Sequence, residues 1–248
     1  MSRCFVVGDV HGCVDELNRL LDSLRPTARD TICFLGDYID RGPSPRAVID
    51  RLVRLQHEGP ECIFLKGNHE DMFLSFLGHP GRYGDAFIWN GGDATLASYG
   101  LSDLPDPLVG QRLPPTHREF LLALRSHVYL GRFLCVHAGI RPTESLEHQA
   151  EEDLLWIREE FIDAEHPFPY TVLYGHTPQR EVRLHLPFKL GLDTGVVYGN
   201  RLSCLDLSSA KLSQVARGAR RATHRSLARE FAAAGIDLTR LTCQPRFH

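Results

Sequence analysis

The segment Cys4-Phe-Val-Val-Gly-Asp-Val-His-Gly12 decides the fold, because a short apolar strand runs directly into a polar loop bounded by two glycines. Apolar residues then recur at helical spacing from Val14 to Leu24. A strand, a loop and a helix in this order predict one unit of an α/β sheet with helices on its faces. In such folds ligands bind at the carboxyl ends of the strands, so Asp9 and His11 are expected at a binding site.

The same succession of apolar strand and glycine-containing polar loop recurs along the chain, and a second helix is predicted over 47–56. Strands that precede such loops are predicted at 31–35, 61–65, 133–136 and 171–174. Strands near 188–192, 201–207 and 211–216 are predicted to close the domain. The polar residues that follow the strands are Asp9, His11, Asp37, Asn68, His137 and His176. We therefore expect these side chains to converge at one edge of an α/β fold.

These six residues offer enough oxygen and nitrogen ligands to bind two divalent cations. Imidazole and carboxylate groups favour Mn, Fe or Zn over Ca. Two cations about 3.5–4 Å apart can bind both the attacking and the leaving oxygen of an in-line displacement, and a water that they share loses its proton near neutral pH. Asp37 is the expected bridging ligand, because each of its carboxylate oxygens can face one cation. The sequence therefore predicts hydrolysis of a phosphate ester by attack of a bridging hydroxide.

The polar motifs, taken in order, resemble the signature of the PPP (phosphoprotein phosphatase) family of metallophosphatases, from Phe5 to about Leu207. The motifs are Gly8-Asp-Val-His-Gly12, Gly36-Asp-Tyr-Ile-Asp-Arg-Gly42, Gly67-Asn-His-Glu70, His137-Ala-Gly139 and Gly175-His-Thr177. The resemblance implies a calcineurin-like metallophosphoesterase fold, in which a central β-sandwich is flanked by helices and a dinuclear metal site lies at the strand ends. It implies two metal positions that share Asp37, with manganese as the most expected metal and Fe or Zn as alternatives. The first position would be formed by Asp9, His11 and Asp37, and the second by Asp37, Asn68, His137 and His176.

The resemblance also assigns residues to catalysis and to substrate binding. His69 would be the general acid that protonates the leaving alkoxide, and Asp40 would orient it. A carboxylate partner is also expected to raise the pKa of an imidazole, so that it holds a proton near neutral pH. Arg41, Arg158 and Asn68 would bind phosphate oxygens. A planar guanidinium group can do so through two parallel hydrogen bonds.

The roles of three further polar residues stay open on the sequence alone. Arg141 either faces the site or forms an ion pair within its loop. Asp193 either orients a ligating histidine or closes a turn before a glycine. Glu70 either supports the site or begins the following helix, where a negative charge is favourable.

Dephosphorylation of phosphoserine or phosphothreonine in a protein or peptide is the activity that the motifs favour. Gly67-Asn-His-Glu70 and Tyr174-Gly-His-Thr-Pro178 are typical of that branch of the family. A symmetrical diadenosine tetraphosphate hydrolase is the alternative, since it would use the same metal ligands. An inactive binding module is a hypothesis from another class. It would require the loss of a ligand or of the general acid, and neither is lost.

The chain is predicted to consist of a catalytic domain over 1–216 and a basic extension over 217–248. From residue 211 onward eight Lys and Arg stand against two Asp and Glu, in a chain whose net charge is -3. The extension is predicted to be an amphipathic helix. Because no aromatic residue lies among its arginines before Phe231, nucleic-acid binding is not expected. The segment 78–115 is either a lid or a surface excursion, with Trp89 packed in the core.

Composition and cysteine usage indicate an ordinary globular protein. Hydrophobic residues make up 43% and charged residues 24%, as in typical soluble domains. The seven cysteines include no CxxC pair and several lie in apolar runs, which favours reduced thiols and a cytoplasmic location. Neither a signal peptide nor an apolar run near the ~20 residues of a membrane span is found, so no membrane association is expected. The sequence gives no indication of the oligomeric state.

Overall fold

The computed structural model describes residues 2–103, 106–239 and 241–247 and places twelve strands of these residues in two sheets. The strands are β1 Cys4–Val7, β2 Thr31–Phe34, β3 Glu61–Phe64, β4 His127–Leu130, β5 Phe133–Val136, β6 Thr171–Tyr174, β7 Arg183–His185, β8 Lys189–Gly191, β9 Arg201–Asp206, β10 Lys211–Ala216, β11 Thr223–Ser226 and β12 Pro245–Arg246. The helices are α1 Val14–Leu24, α2 Pro45–Glu58, α3 Asn68–Phe76, α4 Gly92–Tyr99, α5 Asp106–Arg112, α6 Pro115–Leu122, α7 Glu151–Trp156, α8 Glu159–Ile162 and α9 Ala228–Ala233. Short 3-10 turns lie at Gly84–Ala86, Ile88–Asn90, Leu146–His148 and Val196–Tyr198.

The order of the strands brings the polar loops to one edge of each sheet. The first sheet has the order β11-β10-β9-β1-β2-β3, and the second has the order β12-β4-β5-β6-β8-β7. β1, β2 and β3 are parallel to one another, as are β5, β6 and β8. Parallel strands end at the same edge of a sheet, so the loops that follow β1, β2 and β3 lie side by side, and so do those that follow β5 and β6.

The two sheets face each other across a shared apolar core. Cys4 and Val6 of β1 belong to one buried cluster with Phe133 and Cys135 of β5. Phe5, on the opposite face of β1, packs instead in the cluster that includes the helices. Because side chains alternate between the two faces of a strand, β1 is buried on both sides. The expected β-sandwich flanked by helices is therefore confirmed.

Helices α1 and α2 cover the outer face of the first sheet. Leu17 and Leu20 of α1 and Leu52 of α2 are fully buried there. Burial of each such side chain contributes about 1.5–3 kcal/mol to the free energy of unfolding. α2 begins at Pro45, whose fixed φ suits the first turn of a helix. It extends the helix predicted over 47–56 by two residues at each end. Among the described residues no helix has the length and apolar character needed to cross a membrane.

The C-terminal segment is not the amphipathic helix that we predicted from the sequence. Thr223–Ser226 pairs antiparallel with β10 and Pro245–Arg246 pairs with β4. Among the described residues of the segment, helix is confined to Ala228–Ala233. The chain turns back after β10 at Gly218, whose left-handed φ of 74° is incompatible with a continuous helix. The apolar residues of the segment enter the core between the sheets: Leu227, Phe231 and Ile236. The segment is thus packed against the sandwich, while the domain boundary after residue 216 stays a prediction.

Removing the Phe231 side chain is expected to destabilise the whole sandwich. Phe231 is 1% exposed and its ring centroid lies 6.2 Å from that of Phe133. Phe231→Ala should therefore lower the free energy of unfolding by ~3–5 kcal/mol, whereas Arg229→Ala, at an exposed position of the same helix, should change it by about 0.5 kcal/mol or less. Urea unfolding of both variants measures the difference. Equal stability of the two variants would contradict the packing of the C-terminal segment.

The described part of the segment 78–115 folds into short helical pieces that cover the active-site loops. Trp89 is 91% exposed, so the prediction that it packs in the core is wrong. Phe87 takes that position instead, since it is fully buried and its ring lies 4.9 Å from that of Phe73. The turn Ile88–Asn90 places the ring of Trp89 in solvent.

Candidate active site

Hydrogen bonds between neighbouring loops join the polar motifs of both sheets into one site. The amide N–H of His11 donates to the carbonyl oxygen of Asp37 at 2.8 Å, which links the loops after β1 and β2. The amide N–H of His176 donates to Asp9 Oδ2 at 2.9 Å, which links the loops after β6 and β1. The residues expected to converge therefore lie at one edge of the sandwich.

Two glycines make room for the carboxylates of the site. A Cβ atom at Gly175 would lie 2.0 Å from Asp9 Oδ1, and one at Gly67 would lie 2.1 Å from Asp37 Oδ1. Any side chain at either position would displace the carboxylate. Asp37 itself has a left-handed φ of 51°, a conformation that costs a non-glycine residue energy and is concentrated at functional sites.

Two groups of potential metal ligands share Asp37, and within each group the ligand atoms lie within 4.8 Å of one another. The first group contains His11, Asp37 and His69, and the second contains Asp37, His137 and His176. Asp37 Oδ2 lies 3.4 Å from His11 Nε2, while Oδ1 lies 3.4 Å from His137 Nε2. A carboxylate whose two oxygens face different groups has the geometry that a bridging ligand requires.

Asn68 and Asp9 lie beside these groups and complete the set identified in the sequence. Asn68 Oδ1 is 3.0 Å from His137 Nε2 and 2.9 Å from His176 Nδ1. Asp9 Oδ1 and His176 Nε2 are buried and have no hydrogen-bond partner among the described residues. A buried carboxylate oxygen without a partner is costly, and a bound cation would remove that cost. Carboxylates, an amide oxygen and imidazoles therefore form a donor set that fits divalent cations.

The pKa shifts of Asp37, His137 and His176 favour cation binding. Burial alone would raise the pKa of Asp37, but the surrounding histidines, His137 first, outweigh it and hold the pKa well below its usual range. Burial lowers the pKa of His137 and lowers that of His176 well below its usual range, so both rings are neutral ligands at neutral pH. Burial, followed by the charge of Asp193, raises the pKa of Asp9, an effect that a cation at this carboxylate would reverse.

Backbone carbonyls orient two of the histidine rings. His11 Nδ1 lies 2.8 Å from the carbonyl oxygen of Ile39, and His137 Nδ1 lies 2.8 Å from that of Leu35. When Nδ1 carries the proton and donates to the carbonyl, Nε2 keeps a lone pair that faces the site. Outer hydrogen bonds of this kind fix the ring orientation and tautomer of metal-binding histidines.

Glu70 lies in the first turn of a helix and also supports the site, so the two roles left open by the sequence are combined. It is fully buried in the first turn of α3. Its carboxylate accepts hydrogen bonds from the amide N–H groups of Asp37, Tyr38 and Gly67 at 2.9, 2.8 and 3.0 Å. Glu70 thereby ties the loop that carries the shared ligand to the loop that carries Asn68.

His69 and Asp40 form a buried pair, in which His69 Nδ1 lies 2.6 Å from Asp40 Oδ2. Thr95 of α4 holds the carboxylate from the other side, because its hydroxyl donates to Asp40 Oδ1 at 2.5 Å and accepts from the Asp40 amide at 2.9 Å. Sequence reasoning missed Thr95. It belongs to no motif, and the fold alone brings α4 beside the loop after β2.

Burial changes the expected protonation of this pair. It lowers the pKa of His69 well below its usual range and raises the pKa of Asp40 to about 8. The expected net rise of the His69 pKa is therefore not found, because desolvation of the imidazolium outweighs the attraction of nearby carboxylate charge, that of Asp37 first. The two groups titrate as a coupled pair, and a single proton shared between them is the favoured state at neutral pH.

Two arginines lie beside the two ligand groups. Arg41 Nη1 is 3.0 Å from His11 Nε2, and the Arg41 amide donates to the carbonyl oxygen of Gly91 at 3.0 Å. Arg158 is exposed at the start of α8, and its charge adds to burial in lowering the pKa of His137 and His176. Each group thus has one guanidinium within electrostatic reach, while the phosphate-binding role of the two arginines stays a prediction.

The two remaining polar residues have local roles. Arg141 Nη2 forms an ion pair with Asp153 Oδ1 at 2.6 Å, so Arg141 belongs to a loop salt bridge. Asp193 Oδ1 accepts the amide N–H of Gly195 at 2.9 Å and thus closes a turn. Its charge nevertheless reaches Asp9, whose pKa it raises.

Comparison with known proteins gives matches over most of the chain. Residues 2–204 match the calcineurin-like phosphoesterase family, which implies divalent metal ions. The asymmetrical bis(5'-nucleosyl)-tetraphosphatase PrpE of Anoxybacillus flavithermus is 26% identical over 231 residues, which cover 81% of this chain and 88% of that protein. The protein of the same name from Halalkalibacterium halodurans is 27% identical over 226 residues, with the same coverage.

Solved structures share the architecture at lower identity. A protein assigned as a diadenosine tetraphosphatase superimposes with a TM-score of 0.66 at 23% identity, covering 86% of this chain and 93% of the other. A protein serine/threonine phosphatase from Saccharomyces cerevisiae gives a TM-score of 0.57 at 15% identity, covering 90% and 79%. At these identities the likeness shows the fold alone. Because the family match spans residues 2–204, the chain belongs to the calcineurin-like phosphoesterase family.

Proposed function

We propose that this metallophosphoesterase hydrolyses dinucleoside polyphosphates. The observation that carries the proposal is the exposed aromatic surface beside Arg41. The ring of Tyr198 is 61% exposed and lies 5.7 Å from Arg41 Cζ. Trp89, 91% exposed, lies two residues before Gly91, whose carbonyl oxygen holds the Arg41 amide. Nucleobases stack on exposed aromatic rings, whereas a phosphorylated serine or threonine needs no such surface.

The names of the relatives support the same class of substrate. Both bacterial relatives described above are named as asymmetrical tetraphosphatases. We therefore prefer this activity to phosphoprotein dephosphorylation, which the motifs favoured, and we prefer asymmetrical to symmetrical cleavage. The expected products of a dinucleoside tetraphosphate are a nucleoside triphosphate and a nucleoside monophosphate. Phosphoserine and phosphothreonine peptides remain the alternative substrates against which the proposal is tested.

Different residues of the site would bind the substrate, transfer the proton and hold the metal ions in such a hydrolysis. Arg41 and Arg158 bind oxygens of the phosphoryl group under attack and neutralise the charge that develops there. His69 donates its Nε2 proton to the leaving oxygen, and the proton shared with Asp40 comes to rest on Nδ1, which leaves a neutral imidazole beside an ionised carboxylate. Bound divalent cations would polarise the phosphoryl oxygens and lower the pKa of the attacking water. By the family resemblance, the first metal would be held by Asp9, His11 and Asp37, and the second by Asp37, Asn68, His137 and His176. In the structure His11 and Asp37 share the first ligand group with His69, and Asn68 contacts His137 and His176 of the second. We propose manganese for both, because oxygen and imidazole donors suit it.

A parallel assay of the manganese-loaded protein tests the proposed substrate class. Diadenosine tetraphosphate and a panel of phosphoserine and phosphothreonine peptides are compared by kcat/KM, with products separated by chromatography. We expect the dinucleotide to be preferred by at least about tenfold and to yield ATP and AMP in equal amounts; tenfold corresponds to about 1.4 kcal/mol of transition-state discrimination. A tenfold preference for a phosphopeptide would overturn the proposal, and ADP as the product would overturn asymmetrical cleavage.

Replacement of Tyr198 tests the stacking surface directly. Tyr198→Ala should raise KM for the dinucleotide by roughly 5- to 160-fold, since one base–aromatic stack contributes about 1–3 kcal/mol. Phe247→Ala is the matched control, because Phe247 is also an exposed ring beside an arginine, Arg125, but contacts neither ligand group. An equal KM in the two variants would exclude Tyr198 from nucleobase binding.

A further inference from the structure

A short turn between β10 and β11 carries a concentration of positive charge. This segment, residues 217–222, is named here the arginine turn, and it contains Arg217, Arg220 and Arg221. The sequence showed the charge, but only the fold shows where it lies. Neither the ligand groups nor the proposed stacking surface uses these residues.

The sheet topology places the arginine turn at the edge of the molecule that holds the active site. β9 is antiparallel to β1, and β10 is antiparallel to β9, so β10 runs in the same direction as β1. Val7 lies opposite Cys204, and Cys204 lies opposite Ser213. β10 therefore continues for three residues past the level of Val7 before it ends at Ala216. The arginine turn follows at the same edge as the loop that carries Asp9.

A continuous set of contacts connects the arginine turn with the phosphate-binding Arg41. The amide N–H of Arg217 donates to the carbonyl oxygen of Asn200 at 2.7 Å. Asn200 lies two residues after Tyr198, whose ring faces the Arg41 guanidinium at 5.7 Å. The first residue of the arginine turn is therefore joined through the backbone of Asn200 to the segment that carries Tyr198, whose exposed ring lies beside Arg41.

One arginine of the turn is structural and the other two are free. Arg217 Nη1 donates to Glu16 Oε2 at 2.5 Å, and the Gly218 amide donates to Glu16 Oε1 at 2.9 Å, so the buried Glu16 fixes the turn and is itself neutralised. Arg220 and Arg221 are exposed and have no hydrogen bond or ion pair within the ranges that the structure describes. Their charge is therefore available to a ligand.

We propose that Arg220 and Arg221 form a phosphate-binding subsite for the polyphosphate chain of the substrate, where that chain extends away from the ligand groups past Tyr198. The inference rests on the proposed function, because a substrate with one phosphate would have no group to place there. Guanidinium groups bind phosphate oxygens through paired hydrogen bonds. Since both side chains are exposed, their contribution should weaken with ionic strength.

Binding of inorganic tripolyphosphate, which supplies linked phosphates without a nucleobase, tests the subsite. Calorimetric titration compares the wild type, Arg220→Ala/Arg221→Ala and Arg225→Ala/Arg229→Ala. The last variant removes the same charge from exposed positions of β11 and α9, which follow the arginine turn and have no hydrogen bond or ion pair in the described part of the chain. We expect Kd to rise on the order of tenfold in the first variant at low salt and to change by about twofold or less in the control. Thermal unfolding of both variants verifies that they are folded.

The outcomes separate the subsite from the proposed function. Equal Kd values for the two variants, or no measurable tripolyphosphate binding by the wild type, would overturn the subsite. Hydrolysis of diadenosine tetraphosphate is measured on the same preparations. A wild type that binds tripolyphosphate through Arg220 and Arg221 but does not hydrolyse the dinucleotide would overturn the proposed function and leave the phosphate subsite standing.

Discussion

Asp37→Asn is expected to lower kcat/KM for a simple aryl phosphate by on the order of 10³-fold or more. The Asp37 carboxylate is the one ligand shared by both groups, with one oxygen 3.4 Å from His11 Nε2 and the other 3.4 Å from His137 Nε2. Asparagine keeps the shape but removes the charge that would hold two cations. A cation at a phosphoryl site contributes several kcal/mol, and each 1.36 kcal/mol is a factor of ten in rate.

Asp193→Asn is the matched control for this variant. Asp193 is also buried near Asp9, but its carboxylate closes a turn by accepting the Gly195 amide, which asparagine can still do. We expect it to change kcat/KM by a few fold only, a loss well below the 1.36 kcal/mol of a tenfold effect. Steady-state kinetics in excess manganese measure both variants. An Asp37→Asn protein that keeps a tenth of the wild-type activity would exclude Asp37 as the shared ligand.

His69→Asn is expected to lower kcat by roughly 10²–10⁴, the usual contribution of a general acid. The loss should be largest for an alkyl phosphate, whose leaving oxygen needs a proton. It should be smallest for p-nitrophenyl phosphate and for a dinucleotide, whose leaving groups depart with less protonation. Measuring kcat across leaving groups of different basicity tests this dependence. A loss that is the same for good and poor leaving groups would remove His69 from proton transfer.

The pH dependence of the activity is an independent test of the His69–Asp40 pair. Burial lowers the pKa of His69 and raises that of Asp40 to about 8, so the pair holds its proton at neutral pH and loses it as pH rises. Activity on an alkyl phosphate should therefore fall on the alkaline side, and His69→Asn should remove that limb. Thr95→Val, which deletes the hydroxyl that donates to Asp40, should keep the limb but shift it to higher pH, because the ionised carboxylate loses a stabilising donor.

Local sequence patterns were sufficient to predict the strands and loops that carry the ligands. The glycine-flanked loops after β1, β2 and β3 could be placed because an apolar strand precedes each of them, and parallel strands necessarily end at one edge. The family resemblance then implied the roles of residues such as Asp37 and His69. Glu70 could be named but not assigned, since its hydrogen bonds to the Asp37 loop depend on how two loops pack.

The features that the sequence did not predict depend on contacts between segments that are distant in the chain. Thr95 reaches Asp40 across 55 residues, and no local pattern marks a single threonine for that contact. The C-terminal segment was predicted as an amphipathic helix. Strand β11 has four exposed residues and no apolar alternation, so its pairing with β10 could not be predicted from the segment itself. Trp89 was expected in the core, whereas Phe87 occupies that position.

Crystallographic analysis of the manganese-loaded protein with anomalous scattering tests the central claim most directly, namely that Asp37 is shared between two metal positions. The predicted result is two manganese ions per chain, about 3.5–4 Å apart, with Asp37 contacting both. Asp9 and His11 should contact the first ion, and Asn68, His137 and His176 the second. A single ion, or two ions that do not share Asp37, in a preparation with full phosphoesterase activity would contradict the account.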